Sequence, residues 1–326
     1  MVRVVMALGI AVFFQSPAAV SQDKRIDSYP QKTVRVIIPY AAGGPTDVVA
    51  RSIGQKLTEK WGQQFLLDNR SGADGLLAMT AAATAPADGY TLLLGGTGVL
   101  TSNPALHEKL PYDSQKDYAP IVFISSGPFL LVTHPKSGVG SVADLVRLAN
   151  ARPRELTFGS GGGLSNLAGI SFQFAAGIKT TIVPYKGAAP SMTDLIGGQI
   201  TYIFTSTTAA LPNVQAGRLV GLGVTTRKRW PSLPDIPAIA ETVPAFDDIV
   251  VWYGLLAPAR TPGGIVDKLN REINAILQSR DIAQRFAAMG SEVAGGAPDL
   301  FTNIISREIA MWTKLAKDAN LKLATP

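Results

Sequence analysis

The stretch TVRVIIPYAAGGPTDVVAR, residues 33–51, contains the pattern that decides the fold. The run VRVII is rich in β-branched residues and predicts a strand. Gly43 and Gly44 then interrupt the pattern, and Pro45 suits the first position of a helix that extends to about Trp61. A strand, a glycine-containing loop and a helix in this order predict a βαβ unit around a parallel sheet.

The same alternation continues along the chain and predicts two α/β lobes. The further strand-like runs are QFLLDN, YTLLLG and PIVFIS, followed by a second series of FLLVTH, LTFGS, TTIVPY, ITYIFT and LVGLGVT. Helical spacing of apolar residues predicts helices at residues 76–85, 141–151, 165–176, 189–196 and 209–216. After VVWYGLLAP, the chain ends in two or three amphipathic helices.

The order of these elements also predicts how the two lobes are joined. The segment 227–244 is rich in proline, so we expect an extended connection there. A chain that leaves one lobe and returns to it crosses twice, and the two crossing strands form a natural hinge. We place the crossings near Ser125 and Phe246. The predicted lobes are residues 22–125 with 247–326, and residues 126–246.

Composition excludes several classes of protein and site. The chain has 326 residues, of which 46% are hydrophobic, so it can bury substantial cores. Its formal net charge is +6, but the basic residues are dispersed, which argues against nucleic-acid binding. The chain contains no cysteine, which excludes disulfides, thiolate metal sites and a lipid-modified cysteine.

The N-terminus has the features of a secretory signal. Arg3 precedes the apolar run from Val4 to Phe14, and small residues follow it. The run is much shorter than the ~20 residues that a membrane span needs. We therefore expect a signal peptide at residues 1–21, cleavage between Ala19 and Gln22, and a periplasmic protein without a lipid anchor.

Three glycine-containing loops follow strands and lead towards helices. They are YAAGGPT at residues 40–46, GGTG at residues 95–98 and SGGGLS at residues 160–165. Each is compatible with an ordinary turn. In the first loop, Asp47 would then only compensate the partial positive charge at the start of its helix. Together, their free N–H groups at helix starts favour an anion site for a carboxylate or a phosphate. No dinucleotide or P-loop motif is present, and we predict no cofactor.

Catalytic residues are scarce. The chain has two histidines, His107 and His134, and neither lies beside a nucleophile motif or within metal-ligand spacing. An exported hydrolase would need Ser160 or Ser165 as its nucleophile and a base such as His134 within hydrogen-bond reach. We therefore predict a protein that is not an enzyme and has no metal site.

Several segments in order resemble the Bug receptors, the periplasmic binding component of tripartite tricarboxylate transporters. The matching segments are PYAAGGPTDVVAR, DNRSGADG, ADGYTLLLG, LPYDSQKDYAPI, VPYKGAAPSMTDLIGGQI, AGRLVGLGVTTRKRWPSLPDIPAIAE and WYGLLAPARTP. The resemblance implies an α/β, two-lobed type II periplasmic-binding-protein fold, with hinge strands and a ligand cleft between the lobes. It also implies delivery of the ligand to a membrane permease.

The resemblance further implies a set of ligand-binding residues that act mostly through their backbone. These are Tyr40, Ala41, Gly43, Gly44, Thr46, Asp47, Thr97 and Gly98 from the first lobe, and Ser160, Gly162, Ser165, Tyr185 and Thr205 from the second. The chain departs from the family pattern at Gly163 and Asn166, at Asp74 and Leu76, and at Thr205, where an acidic residue is usual. Loss of that carboxylate disfavours an amino-acid ligand and favours a simple carboxylate.

Two questions remain open at this stage. A receptor that presents its closed form to a signalling partner would use the same ligand chemistry as one that serves a permease. We expect a monomer, since no segment has the pattern of a dedicated assembly helix.

Overall fold

The computed structural model describes residues 26–161, 163–185, 187–246 and 248–318. The predicted signal peptide at residues 1–21, its cleavage region and Gly162 lie outside the described residues. Within them, no helix has the length and apolar character needed to cross a membrane.

The described residues form ten strands. They are β1 Val34–Ile38, β2 Phe65–Asn69, β3 Thr91–Gly96, β4 Tyr118–Thr133, β5 Thr157–Ser160, β6 Thr181–Pro184, β7 Tyr202–Ser206, β8 Val220–Val224, β9 Val250–Pro258 and β10 Glu292–Val293.

The α-helices alternate with these strands as predicted. They are α1 Pro45–Trp61, α2 Leu76–Ala83, α3 Asn103–Leu106, α4 Val142–Ala151, α5 Gly163–Ala176, α6 Ala188–Ile196, α7 Thr207–Gln215, α8 Gly263–Leu277, α9 Arg280–Ala288 and α10 Pro298–Asp318. A short π-helix, Gly98–Ser102, follows β3. The predicted helices that precede the C-terminal portion are correct to within two residues at each end.

The first lobe is a sheet with helices on both faces. Strands β2, β1 and β3 are parallel neighbours, and β9 and β4 continue the sheet in antiparallel pairing. Within β1, Val36 and Ile38 face a core that includes α1 and α8, while Ile37 faces one that includes α2 and α10. Burial on both faces explains why this strand is apolar along almost its whole length.

The second lobe repeats this three-layer arrangement. Strand β5 lies between β6 and β7 in parallel pairing, and β4 pairs in antiparallel fashion with both β7 and β8. Leu145 of α4 and Phe172 of α5 belong to the core on one face, and Leu195 of α6 and Ala210 of α7 to the core on the other.

The structure corrects one feature of the strand prediction. The runs PIVFIS and FLLVTH are parts of a single strand, β4, which spans 16 residues and extends from one lobe into the other. Gly127 and Pro128 lie between the two runs, and both stay in register with β9, opposite Val251 and Val250. A Cβ on Gly127 would lie only 3.1 Å from the carbonyl oxygen of Gly290, so the close approach of the chain before β10 explains this glycine.

Thr225 joins the two segments that cross between the lobes. It is fully buried, and its Oγ1 accepts a hydrogen bond from the backbone N of Phe129 at 2.9 Å and donates to the carbonyl oxygen of Ile249 at 2.7 Å. Its own backbone N donates to the Phe129 carbonyl at 3.1 Å, and its carbonyl accepts from the N of Ile249 at 3.0 Å. One residue therefore connects the chain that enters the second lobe to the chain that leaves it.

The C-terminal helix α10 contacts the cores of both lobes. Phe301 and Ile305 pack in the first-lobe core with Trp252, whereas Trp312 and Ala316 pack with the second-lobe core. The helix is thus a third connection beside β4 and β9.

We expect Thr225→Val to lower the free energy of unfolding by about 1 to 3 kcal/mol, because it leaves the buried N–H of Phe129 and C=O of Ile249 without the hydroxyl. Urea unfolding of the variant and of Thr302→Val measures the difference. Thr302 is exposed and its hydroxyl contacts only its own helix, so the control should change little. Equal losses in the two variants would contradict the role of Thr225.

Candidate functional site

The strands of both lobes end close to the middle of β4. Gly96, at the end of β3, pairs with Tyr253, and Tyr253 pairs with Ser125. In the second lobe, Ser206 at the end of β7 pairs with Phe129. Ser125 and Phe129 are four residues apart, or about 13 Å of strand. Since open α/β sheets bind ligands at the carboxyl ends of their strands, the candidate site lies here, between the lobes.

Asp47 orders the first glycine loop. It is 1% exposed, and its Oδ2 accepts hydrogen bonds from the backbone N of Gly43 at 3.0 Å and from Nε of Arg51 at 2.7 Å. Burial opposes ionisation, but the hydrogen bonds from Arg51, Gly43 and Asn69 outweigh it and hold the pKa of Asp47 below its usual value. The carboxylate is therefore already paired within the protein.

The backbone of this loop is open to the cleft side of the lobe. Ala41 and Gly43 are exposed, and the N of Gly44 closes a turn on the carbonyl oxygen of Ala41 at 3.4 Å. Gly43 has a φ of 81°, a left-handed conformation that favours glycine.

Tyr40, Thr46 and Tyr253 form a cluster of hydroxyl groups between the first and second loops. The Tyr40 hydroxyl lies 2.7 Å from the point that a Cβ on Gly98 would occupy, so the two loops touch there. Burial raises the pKa of Tyr40, and it raises that of Tyr253 to about 12 despite a hydrogen bond from Thr46. Both tyrosines are therefore neutral at physiological pH.

The second loop is held by the hydroxyl of Thr97. This Oγ1 accepts a hydrogen bond from the backbone N of Trp252 at 3.0 Å and donates to the carbonyl oxygen of Val250 at 3.3 Å. Thr97 is 1% exposed, so its side chain connects β3 to β9.

Two second-lobe side chains are likewise occupied by protein partners. The Ser165 hydroxyl donates to the carbonyl oxygen of Phe204 at 2.7 Å, and the Tyr185 hydroxyl donates to Oδ2 of Asp194 at 2.7 Å. The carbonyl oxygen of Ser160 accepts from the backbone N of Tyr185 at 2.9 Å. These residues hold the loop between β5 and α5 next to the segment that follows β6.

Thr205 differs from its neighbours. It is 2% exposed, and its Oγ1 has no hydrogen-bond partner among the described residues. A buried hydroxyl normally has a partner, so this atom at the end of β7 is available to a ligand or to a water molecule.

Three helices enter the site without a side-chain N-cap. They are α1, α6 and α7, which follow β1, β6 and β7. Helix α4 begins at the opposite end of its lobe, and there the Ser141 hydroxyl accepts from the backbone N of Asp144. Uncapped N–H groups and the helix dipole together favour a bound anion.

His134, the base named in the hydrolase alternative, does not lie beside Ser160 or Ser165. Thr133, at the end of β4, pairs with Tyr202 at the start of β7, so His134 lies at the opposite end of the sheet from Ser160 and Ser165. Its Nδ1 accepts from the backbone N of Lys136 at 3.1 Å. Among the described residues, no group of three or more His, Asp or Glu side chains is placed to hold a metal ion.

Comparison with known proteins agrees with this arrangement. The profile of the tripartite tricarboxylate transporter family receptors matches residues 49–321. The chain belongs to this receptor family. The recognition of a Bug receptor is thereby confirmed, because the chain is also 32% identical over 328 residues to the protein BugT of Bordetella pertussis, covering 99% of each sequence.

Solved structures of similar receptors confirm the two-lobed periplasmic-binding-protein fold. A protein of R. palustris determined with adipate is 38% identical, has a TM-score of 0.86 and aligns over 90% of this chain and 99% of its own. MatC of Rhodopseudomonas palustris with bound malate is 30% identical, has a TM-score of 0.80 and aligns over 88% of this chain and 99% of its own.

Sequence analysis missed two residues of the receptor that act behind the site. Thr225 lies in an ordinary strand-to-loop sequence, and nothing in the pattern marks it as the residue that joins the two crossing segments. Glu308 carried a signal, because it follows Phe301 and Ile305 at helical spacing and precedes Trp312, so it occupies an apolar position of α10. A carboxylate on that face requires a specific partner.

We expect Asp47→Asn to lower the free energy of unfolding of the receptor at neutral pH by about 1 to 2 kcal/mol, because it weakens a charge-assisted bond to an exposed arginine. Folding lowers the pKa of Asp47 from 3.8, so its contribution is present above that pH and is lost in acid. Urea unfolding at neutral pH and at about pH 3 should show the two proteins converging in acid.

The matched control is Asp88→Asn, whose side chain is 48% exposed and 3.8 Å from Lys32. An equal loss in this control at neutral pH would show that Asp47 has no special role in ordering the loop.

Proposed function

We propose that this receptor captures a small carboxylate between its two lobes, performs no chemistry on it, and delivers it to the membrane permease of a tripartite tricarboxylate transporter. The observation that carries the proposal is the convergence of glycine loops and uncapped helix starts from both lobes on one short segment of β4. A ligand held there contacts both lobes at once and stabilises their closed arrangement.

The identity of the ligand class is supported by charge and by the relatives. Backbone N–H groups and neutral hydroxyls suit a carboxylate, and the side chain of Asp47 is already paired. The related receptors were determined with adipate and with malate, both of which are dicarboxylates. We therefore propose a dicarboxylate or a similar simple carboxylate as the ligand.

The proposed site consists of backbone groups from four loops and a few side chains. It comprises Tyr40, Ala41, Gly43, Gly44, Thr46, Thr97 and Gly98 of the first lobe and Ser160, Gly162 and Thr205 of the second, with Asp47, Ser165 and Tyr185 holding the loops in place.

The cellular setting is part of the same proposal. Family members are periplasmic receptors. Residues 1–21 would direct export and be removed, and the absence of cysteine leaves no site for a lipid anchor. The mature receptor would act as a monomer with its hinge at the predicted crossings, supported by the position of Thr225 between β4 and the segment before β9.

A thermal-shift screen tests the ligand class. The mature chain, residues 22–326, is unfolded and refolded to remove any carried ligand, and is then heated with adipate, malate, a tricarboxylate, an aromatic acid or an amino acid. A ligand present at 100 times its dissociation constant adds about 2.7 kcal/mol of stability, which raises the midpoint. We expect a rise with one class of carboxylate.

A rise with uncharged solutes alone, in protein shown to be refolded, would overturn the carboxylate assignment. Turnover of any stabilising compound would overturn the proposal that the receptor is not an enzyme.

Gly98→Ala tests the contact between the two first-lobe loops. Its Cβ would lie 2.7 Å from the Tyr40 hydroxyl and would displace the tyrosine or the loop. We expect affinity for the carboxylate found in the screen to fall roughly tenfold, about 1.4 kcal/mol, with little change in the unfolding midpoint of the free protein. Calorimetry measures the affinity. Gly263→Ala is the control, since a Cβ there meets no atom within 4 Å. Unchanged affinity in Gly98→Ala would exclude this part of the site.

A further inference from the structure

Helix α10 places a carboxyl group in the core behind the second ligand loop. Glu308 is 8% exposed. Its Oε2 accepts a hydrogen bond from Nε1 of Trp252 at 2.7 Å and lies 3.1 Å from Oγ1 of Thr101. Trp252 belongs to the crossing strand β9, and Thr101 belongs to the π-helix that begins at Gly98.

Both contacts of Glu308 lead to Thr97. Oγ1 of Thr101 lies 2.8 Å from the carbonyl oxygen of Thr97, and the backbone N of Trp252 donates to Oγ1 of Thr97 at 3.0 Å. Thr97 directly precedes Gly98, which is in contact range of Tyr40. The carboxyl group is thus separated from the proposed ligand loop by one residue along each route.

The number of protons in this cluster depends on Glu308. The Thr101 hydroxyl has one proton and two acceptors within reach, the Thr97 carbonyl and the Glu308 carboxyl. When Glu308 is ionised, the Thr101 hydroxyl can donate to only one of these two acceptors, and the other receives no hydrogen bond from it. When Glu308 is protonated, its O–H donates to Oγ1 of Thr101, the Thr101 proton goes to the Thr97 carbonyl, and Trp252 still donates to the carboxyl oxygen. In the protonated form, the Thr101 hydroxyl, the Thr97 carbonyl and the Trp252 indole each have a hydrogen-bond partner.

The surroundings make both forms accessible near neutral pH. Burial raises the pKa of Glu308 to about 7, against the hydrogen bonds from Trp252 and Thr101 and the charge of Arg307, which lower it. Arg307 is on the same helix. The elements packed against α10 contribute His107 after α3 and Tyr118 of β4, and neither forms a hydrogen bond with Glu308 in the part of the chain that is described.

We propose that Glu308 is a positioning residue that holds the loop from Thr97 to Thr101 in its binding arrangement more firmly when protonated than when ionised, so that affinity for the carboxylate ligand falls as the pH rises through neutrality. The statement about affinity rests on the proposed function, whereas the statement about the loop does not.

The loop is tested without ligand. In ¹⁵N-labelled mature receptor, the indole N–H resonance of Trp252 and the amide resonance of Gly98 are followed from about pH 5.5 to about pH 8.5. We expect both resonances to shift with a common midpoint near pH 7. Glu308→Gln should abolish the transition, and Glu59→Gln, which removes an exposed carboxyl on α1, should preserve it.

Absence of the transition in the wild-type protein, or its persistence in Glu308→Gln, would overturn the proposal. So would a titration of the Trp252 indole that leaves the Gly98 amide unmoved, since the carboxyl would then not act on the loop.

Affinity is tested with adipate as the probe, whose carboxyls stay ionised over the range used. We expect the wild-type dissociation constant to rise roughly fivefold or more between about pH 6 and about pH 8.5. Glutamine does not titrate, and its carbonyl oxygen in the place of Oε2 still accepts from Trp252 and Thr101. Glu308→Gln should therefore bind adipate with a dissociation constant that does not change over this pH range.

A wild-type dissociation constant that does not change with pH, or a pH dependence that persists in Glu308→Gln, would overturn the proposal. If adipate binds neither protein at any pH, the adipate assignment fails, and the Gly98 resonance alone decides the role of Glu308.

The pH dependence of the unfolding midpoint is an independent test of the protonation state of Glu308. Folding raises the pKa of Glu308 from 4.5 to about 7, so its contribution to stability is complete below pH 4.5 and is lost as the pH rises through 7. We expect the unfolding midpoint of Glu308→Gln to exceed that of the wild-type protein above neutrality and the difference to shrink in acid. The opposite order would contradict a protonated carboxyl in the native cluster.

Discussion

The hydrogen-bond ladder of β4 is the constraint on which the rest of the structure depends. The strand is largely buried, and unpaired backbone groups in such a place are costly, so both of its edges must remain paired. Its first part pairs with β9 and β10, and its last part pairs with β7 and β8. The partners of the strand change between Ser126 and Leu130, so the two lobes meet there. The ends of β3 and β7 lie beside the same segment, so the candidate site lies where the two lobes meet.

Close packing around this point explains why small residues are needed there. A Cβ on Gly96 would lie 2.7 Å from the carbonyl oxygen of Trp252, and one on Gly254 would lie 2.3 Å from the ring of Phe301. The first glycine lets β3 approach β9, and the second lets α10 pack on the sheet. Helix α10 then extends to the second-lobe core, so that a single helix packs against both lobes.

The polar side chains of the site mostly bind the protein itself. Asp47, Thr97, Ser165 and Tyr185 each hold a backbone segment or a neighbouring side chain. What remains for a ligand is backbone N–H, together with neutral hydroxyls such as those of Tyr40 and Thr205. A site of this kind offers a ligand several fixed dipoles, and it depends on the loops being held accurately. That dependence is why residues behind the loops, Glu308 among them, matter to the site.

The sequence by itself determined the alternation of strands and helices, because these follow from local periodicity and from glycine and proline at the turns. It also determined the family, because an ordered set of loop motifs is specific even though each glycine pair is not. It did not show that β4 is continuous, since Gly127 and Pro128 resemble a break until β9 and β10 lie beside them. Nor could it tell which polar residues face the ligand and which face the protein. The bond of Thr97 to Trp252 spans 155 residues of sequence, and that of Thr101 to Glu308 spans 207. Contacts at such separations leave no local pattern. Only the tertiary structure therefore decided the bonds of Thr225 between the crossing segments, the burial of Glu308, and which polar side chains of the candidate site bind the protein itself.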